Sequence, residues 1–206
     1  MREIIIVGAG PLGREIYNWI VSCDHTSRIK GFIDNFPDAL NNYDYPVKII
    51  GDIDNHSICH NCDYILAVML PRLKKDFVIK LKNKGCQFTQ FIHPTAMIGK
   101  NVSLDEGVVI TPYCILSCDI KLGNFVFLNT QTSVGHDVKI GEYSSLNSKV
   151  TISGSVEIGD EVMIGSSALI LPNKKIASSV IIGSGSVVVG NIKNPVTVFG
   201  NPAKAI

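Results

Sequence analysis

Residues 96–119 read AMIGKN VSLDEG VVITPY CILSCD, and the same six-residue pattern runs without interruption to residue 191. The third residue of every hexad is aliphatic, at sixteen successive positions from Ile98 to Val188, and the fourth is often Gly, Ser or Asn. An inward aliphatic residue, a small neighbour and a turn predict a triangular prism, in which each hexad forms one strand and three hexads close one coil. The repeat predicts about five coils, which at a strand spacing of roughly 4.8 Å gives a prism about 25 Å tall.

The start of the chain has a different pattern, of strand, glycine loop and helix. Arg2–Val7 is a short apolar run, and a G-x-G-x-x-G sequence formed by Gly8, Gly10 and Gly13 follows it directly. Apolar residues then recur at helical spacing over Arg14–Ser22. This order is typical of a tight turn that brings backbone N–H groups and a helix N-terminus close to a phosphate.

The rest of the first ninety residues supplies only half of a dinucleotide fold. A second apolar run, Ile29–Ile33, ends in Asp34, where such a fold places the acid that binds a ribose. Further strands are expected at Tyr64–Met69 and Phe88–Ile92, with an amphipathic helix over Arg72–Lys84. A dinucleotide needs two βαβαβ halves, so a mononucleotide or nucleotide sugar is favoured over NAD, and a purely structural turn is the third alternative.

The charge balance argues against broad electrostatic partners. The chain of 206 residues has 19 Lys+Arg, 18 Asp+Glu and a net charge of +1, so it has no basic excess for nucleic acid and no acidic block typical of disorder. The first apolar run, Ile4–Val7, is too short for a secretion signal or a membrane span. We therefore expect a cytoplasmic protein with neither nucleic acid nor membrane as a partner.

The six cysteines do not show the disulfide framework that is found in short secreted chains, so we expect reduced thiols. Segment 54–62, DNHSICHNC, contains every residue type that binds zinc, but it lacks a second Cys/His pair at finger spacing. The motif formed by Cys59 and Cys62 therefore favours an ordinary helix or loop. Metal binding and redox chemistry are the open alternatives.

The combination of these parts resembles a known family. A Gly-rich βαβ domain over residues 1–92, a repeat domain over 93–206 and the ending VFGNPAK at Val198–Lys204 are similar to the hexapeptide-repeat acetyltransferases. Within them the chain resembles the sialic acid O-acetyltransferase and UDP-4-amino-sugar (bacillosamine pathway) N-acetyltransferase family. The resemblance implies an α/β half-Rossmann βαβ domain followed by a left-handed parallel β-helix. It also implies homotrimers with sites between neighbouring prisms, a nucleotide sugar on the first domain and acetyl-CoA along the prism. We expect no metal.

The family's catalytic base matches His136, which Asp137 follows. His136 is also the only histidine inside the repeat, and imidazole suits the removal of a proton from an attacking amine. Asp137 would fix the tautomer of the imidazole. Since successive residues of a strand face opposite ways, the two side chains can meet only at a corner of the prism.

The resemblance assigns the remaining site residues. It places Asn129 at the sugar, Ser153, Gly154, Gly165 and Ser166 at acetyl-CoA, Gly8, Gly10 and Gly13 at the phosphates, and Asp34 at the base or ribose. The Gly154 N–H would face the thioester carbonyl and stabilise its oxyanion. Ser145 departs from the family, because some members carry a second histidine there. Asn129 could equally be a ladder asparagine, and glycine and serine suit any tight corner.

The resemblance thus implies an acetyl-CoA-dependent N-acetyltransferase acting on a nucleotide-linked amino sugar, of the 4-amino-4,6-dideoxyhexose class, for a bacterial surface glycan. An O-acetyltransferase of a sialic-acid-like sugar and a non-catalytic nucleotide-binding trimer are the alternatives. A zinc carbonic anhydrase on this prism would need three histidines in the coils, and the repeat has only His136, so this function is disfavoured. A serine acetyltransferase is also disfavoured, because by family pattern those enzymes have a helical N-terminal domain rather than a glycine-loop βαβ domain.

Overall fold

The computed structural model describes residues 2–23 and 29–206, which form two compact units that meet in sequence between Gln90 and Phe91. The sequence placed this boundary between residues 92 and 93. In the structure Phe91 and Ile92 already pair in parallel with Val109 and Ile110 of the repeat. None of the helices in the described residues is long and apolar enough to cross a bilayer.

The first unit is a small three-stranded parallel sheet with two helices. Its elements are β1 Glu3–Val7, α1 Pro11–Cys23, β2 Ile29–Ile33, β3 Cys62–Leu66 and α2 Pro71–Asn83. The strands lie in the order β2-β1-β3, and both pairings are parallel. Helix α1 buries Gly13, Ile16, Tyr17 and Ile20, the spacing of one helical face. These elements confirm the predicted half-Rossmann βαβ arrangement.

One predicted strand of this unit does not form. Phe88 makes only an isolated bridge with Tyr64, whereas Phe91 and Ile92 pair in the second unit. The predicted strand at Phe88–Ile92 was therefore wrong as a single element, because the two ends of this apolar run pair in different units.

The second unit is a β-solenoid. Its strands are β4 Phe91–Ile92, β5 Met97–Ile98, β6 Ser103–Leu104, β7 Val109–Ile110, β8 Ile115–Leu116, β9 Lys121–Leu122, β10 Phe127–Leu128, β11 Ser133–Val134, β12 Lys139–Ile140, β13 Ser145–Leu146, β14 Thr151–Ile152, β15 Glu157–Ile158, β16 Met163–Ile164, β17 Leu169–Ile170, β18 Lys175–Ile176, β19 Ile181–Ile182, β20 Val187–Val188, β21 Thr197–Phe199 and β22 Lys204–Ala205. Each strand from β4 to β17 pairs in parallel with the strand three places later, 18 residues along the chain. The solenoid has about six turns rather than the predicted five, because a hexad before Ala96 also forms a strand.

The solenoid has three faces. Face 1 contains β4, β7, β10, β13, β16 and β19, and its sheet ends in β21 and β22; face 2 contains β5, β8, β11, β14, β17 and β20; face 3 contains β6, β9, β12, β15 and β18. The chain turns from face 1 to face 2 at what we name the first corner, and from face 2 to face 3 at the second corner. The third-position aliphatics are buried from Ile110 to Val188, as predicted.

The turns depend on a hexad position that carries no sequence signature. The sixth residue is left-handed at every hexad from Asn101 to Gly185, with φ between 57° and 68°, although only two of these residues are glycine. Glycines at the fourth hexad position are needed for a different reason, which is the lack of space for a side chain. At Gly99, for example, a Cβ would collide with the Ser117 carbonyl of the next turn.

Candidate active site

His136 and Asp137 lie at the second corner, directly after β11. Asp137 is one of the left-handed residues, with φ 60°. Its Oδ2 lies 2.7 Å from His136 Nδ1. The two side chains therefore meet at a corner of the prism, as the sequence required. An ionised carboxylate only accepts hydrogen bonds, so Nδ1 carries the proton and Nε2 is left as the acceptor.

Gly154 lies one turn further along the same corner, against the imidazole of His136. A Cβ on Gly154 would lie 2.5 Å from Nε2 and 2.6 Å from Cε1, so only glycine leaves room for this ring position. The two turns are joined by a hydrogen bond from the Ser155 N–H to the His136 carbonyl at 2.8 Å. Within residues 2–23 and 29–206, no backbone carbonyl accepts a hydrogen bond from the Gly154 N–H.

Asp119, one turn before Asp137, is a further carboxylate at this corner. The amide of Asn101 donates to its Oδ1 at 2.9 Å. This hydrogen bond lowers the pKa of Asp119, as do the Cys118 thiol and the charge of His136. Asp119 is therefore ionised at neutral pH and adds a second negative charge to this corner. The pKa of the Cys118 thiol is raised, and the main cause is the hydrogen bond that this thiol makes with Asp119.

Asp119 was not among the residues selected from the sequence. The signal was available, since residues 101, 119 and 137 all occupy the sixth position of hexads that stack 18 residues apart. It becomes visible only when the turns are aligned in threes.

Asn129 lies at the first corner, after β10. Its side-chain oxygen accepts a hydrogen bond from the Thr130 N–H at 2.7 Å, and its side chain is half-buried. This hydrogen bond joins two sequence neighbours within one corner rather than successive turns, so it stabilises the corner locally.

Gly165 and Ser166 also lie at the first corner, after β16. A Cβ at Gly165 would collide with the backbone N of Ser184 in the next turn, which gives this glycine a structural reason. Ser166 is exposed. Ser145, where family members vary, is fully buried on face 1.

The predicted solenoid residues therefore form two groups. The second corner brings together His136, Asp137, Ser153 and Gly154, whereas Asn129, Gly165 and Ser166 share the first corner.

In the glycine loop of the first unit, backbone segments lie too close together to leave room for side chains at two of the three glycines. Gly8 has φ +106°, and a Cβ there would lie 2.9 Å from the Ala67 carbonyl oxygen. A Cβ on Gly13 would collide with the Gly8 carbonyl, so this glycine allows α1 to pack on the loop. A Cβ on Gly10 would meet nothing within 4 Å, so the space beside this residue is open. Helix α1 starts at Pro11 with no acid in its first turn, so no carboxylate there offsets the positive end of the helix dipole.

Asp34, at the end of β2, is fastened to the glycine loop. Its Oδ2 accepts a hydrogen bond from the Ala9 N–H at 2.7 Å, and its Oδ1 accepts one from the Phe36 N–H at 2.9 Å. Asp34 also lines a cleft of about 510 Å³ together with Asn35 and Asp52. It therefore braces the loop and borders a cavity large enough for a small ligand.

Cys59 and Cys62 are joined by a disulfide, so the expectation of reduced thiols was wrong for this pair. The physical reason is local: segment 54–61 is a loop, and a turn hydrogen bond from the Cys62 N–H to the Cys59 carbonyl brings the two Cα atoms within 5.3 Å. No three His, Cys, Asp or Glu side chains cluster as a metal site anywhere in the part of the chain that the structure describes.

Comparison with known proteins gives a family and close structural relatives. A protein-family model described as the GMPPB C-terminal domain matches residues 81–191. No curated protein matches the sequence significantly.

Three solved structures superpose over almost the whole chain, each at 25% identity. PerB from Caulobacter crescentus, in complex with CoA and GDP-perosamine, has a TM-score of 0.90 over 99% of this chain and 97% of its own. The acetyltransferase domain of PglB from Neisseria gonorrhoeae, in complex with acetyl coenzyme A, has a TM-score of 0.91 over 100% and 99%. WeeI from Acinetobacter baumannii has a TM-score of 0.88 over 100% of both chains. These likenesses confirm the predicted left-handed β-helix.

Proposed function

Since the chain belongs to the GMPPB C-terminal domain family and is a hexapeptide-repeat acetyltransferase, we propose that it acetylates the amine of a nucleotide-linked amino sugar with acetyl-CoA. The observation that carries the proposal is the second corner, where His136 is oriented by Asp137 and packs on Gly154. The structure of PerB, which contains CoA and GDP-perosamine, supports the same pair of substrates. A 4-amino-4,6-dideoxyhexose for a bacterial surface glycan is the acceptor class that we propose.

The chemistry follows from the atoms at this corner. The neutral sugar amine attacks the thioester carbonyl, and His136 Nε2 removes the proton that the nitrogen loses. Asp137 stabilises the imidazolium that forms, with Asp119 one turn away adding negative charge. The Gly154 N–H donates to the oxyanion, and collapse of the intermediate expels the CoA thiolate, which takes the proton from His136. No acyl-enzyme is needed, so the acetyl group moves in one transfer.

The first unit is the proposed nucleotide site. The open side of Gly10 and the start of α1 offer backbone N–H groups to the phosphates. Arg14 adds a positive charge in this turn, and its guanidinium lies 3.6 Å from the centre of the Tyr43 ring. The cleft beside Asp34 would take the ribose or the base.

A homotrimer with shared sites is proposed because the two groups of solenoid residues occupy different corners. Face 2, which lies between these corners, has outward residues that are largely apolar, and Met97 and Ile115 are 67% and 50% exposed. Face 3 instead presents Lys121, Lys139 and Glu157. An apolar face favours contact with another copy, and a solvated face does not.

Thiol release from acetyl-CoA tests the reaction. We expect release with one member of a panel of UDP-, dTDP- and GDP-linked 4-amino sugars, and a loss of about 10²- to 10⁴-fold in kcat/KM for His136→Ala. His60→Ala, which removes another exposed histidine, is the matched control and should keep full activity. Release with free sialic acid alone would instead establish O-acetylation. Full activity of His136→Ala would refute the proposed mechanism.

Mixed trimers test the shared site. His136→Ala and Asn129→Ala damage different corners, so equal mixing during refolding should restore about one quarter of the wild-type sites if each site takes one corner from each of two copies. No recovery above the two separate variants would place both corners of a site in one chain. Wild-type activity of Asn129→Ala alone would remove Asn129 from the site.

A further inference from the structure

The disulfide of the first unit has an ammonium group beside it. Lys30 Nζ lies 3.5 Å from Cys59 Sγ and 3.9 Å from Cys62 Sγ. The same ammonium makes an ion pair with Glu3 at 3.0 Å, which holds it over the two sulfurs. A positive charge next to a cysteine favours its thiolate, the form that attacks and leaves in thiol–disulfide exchange.

The two sulfurs differ in accessibility. Cys59 is half-buried and lines a cavity of about 400 Å³ together with Lys30 and His56, whereas Cys62 is only 1% exposed. An external thiolate can therefore reach Cys59, while Cys62 is shielded as the leaving and resolving sulfur.

The surrounding loop is held independently of the disulfide. The Tyr64 hydroxyl lies 2.9 Å from His56 Nε2 and accepts a hydrogen bond from the Cys59 N–H at 2.9 Å. Burial lowers the pKa of His56, so this ring is neutral near pH 7 and adds no second charge at the cavity. The backbone at Cys59 thus keeps an anchor when the sulfurs separate.

We propose that Cys59 and Cys62 form a reversible redox couple that exchanges with small monothiols of the glutathione class, with Lys30 favouring the reduced pair. A glutathione thiolate attacks Cys59 Sγ, the disulfide breaks, and Cys62 leaves as a thiolate next to Lys30. A second glutathione thiolate attacks the glutathione sulfur of the mixed disulfide. Oxidised glutathione leaves, and Cys59 remains as a thiolate. Two thiols are oxidised for the one disulfide reduced.

The experiment equilibrates the full chain in glutathione buffers from reducing to oxidising, followed by acid quenching, alkylation and mass spectrometry of the peptide with both cysteines. We expect a two-electron transition in the wild type. Lys30→Gln should shift the equilibrium constant about tenfold toward the disulfide, about 30 mV. Lys30→Arg, which keeps the charge, should stay near the wild type. Lys175→Gln removes a lysine from a similar exposed pair, with Glu157 in the solenoid, and is the matched control.

Two variants that each lack one cysteine of the pair test which sulfur is attacked first. Cys62→Ser should accumulate a glutathione adduct on Cys59, whereas Cys59→Ser should leave Cys62 unmodified in the same time. The proposal is overturned if the pair stays a dithiol in every oxidising buffer, or if Lys30→Gln titrates like Lys175→Gln. An adduct that forms on Cys62 rather than Cys59 overturns it as well.

Discussion

Alanine at position 154 should lower activity about 10²-fold without unfolding the solenoid. The new Cβ would lie 2.5 Å from His136 Nε2, whereas van der Waals contact needs about 3.5 Å, so the imidazole must move by about 1 Å. A displacement of this size at a reacting group costs about 10²-fold in rate, or about 2.7 kcal/mol of transition-state stabilisation. The His136 side chain is 61% exposed and free to turn into solvent. The unfolding free energy should therefore change by less than about 1 kcal/mol.

Steady-state thiol release and urea unfolding on the same preparation measure both quantities. Gly190→Ala is the matched control, because a Cβ there meets nothing within 4 Å, and both its kcat and its stability should equal the wild type. Wild-type kcat/KM in Gly154→Ala would show that the ring position seen over Gly154 is not the reactive one. A large fall in the unfolding free energy of Gly154→Ala together with its activity would refute the prediction that the substitution displaces the imidazole without destabilising the solenoid.

Three further predictions concern other contacts. Asp137→Asn should lower kcat about 10- to 100-fold with little change in KM, since it weakens a charge-assisted hydrogen bond to His136; initial-rate kinetics measure this. Gly165→Ala should lower the unfolding free energy by about 1–3 kcal/mol in urea titrations, because its Cβ meets the backbone of Ser184 rather than a mobile side chain. Burial lowers the pKa of His93, so the unfolded state binds more protons below pH about 6.5; stability should fall there by up to roughly 1.4 kcal/mol per pH unit, and His93→Asn should flatten the urea-denaturation profile.

The repeat could be predicted because each inward residue occupies the same environment. Ile110 and Val188 lie many turns apart yet pack in the same core, so one physical requirement is written repeatedly in the sequence. The left-handed turns left no such record. Lys149 and Glu161 adopt φ near 60° as readily as Asn101 does, since the ladder on both sides imposes the conformation. Asp119 was missed for a related reason, because its position beside His136 depends on stacking 18 residues apart.

The first unit shows what a motif can and cannot indicate. The glycine loop was predicted because strand, turn and helix each constrain its residues, and Asp34 follows from the end of the next strand. The disulfide lies in a loop that has no periodic pattern. Its formation depends on a turn that brings Cys59 to the start of β3 at Cys62, and nothing in the spacing separates this outcome from a metal site or two free thiols.

The spacing between Asn129 and His136 constrains the proposed assembly. Side chains share a corner only when they lie a multiple of 18 residues apart, within a position or two, and these residues are separated by little more than one hexad. One prism therefore holds them at opposite edges of face 2. If three copies turn face 2 toward a common threefold axis, each second corner adjoins the first corner of the next copy. Such a head-to-tail ring closes with three equal sites, and every copy contributes His136 to one site and Asn129 to another.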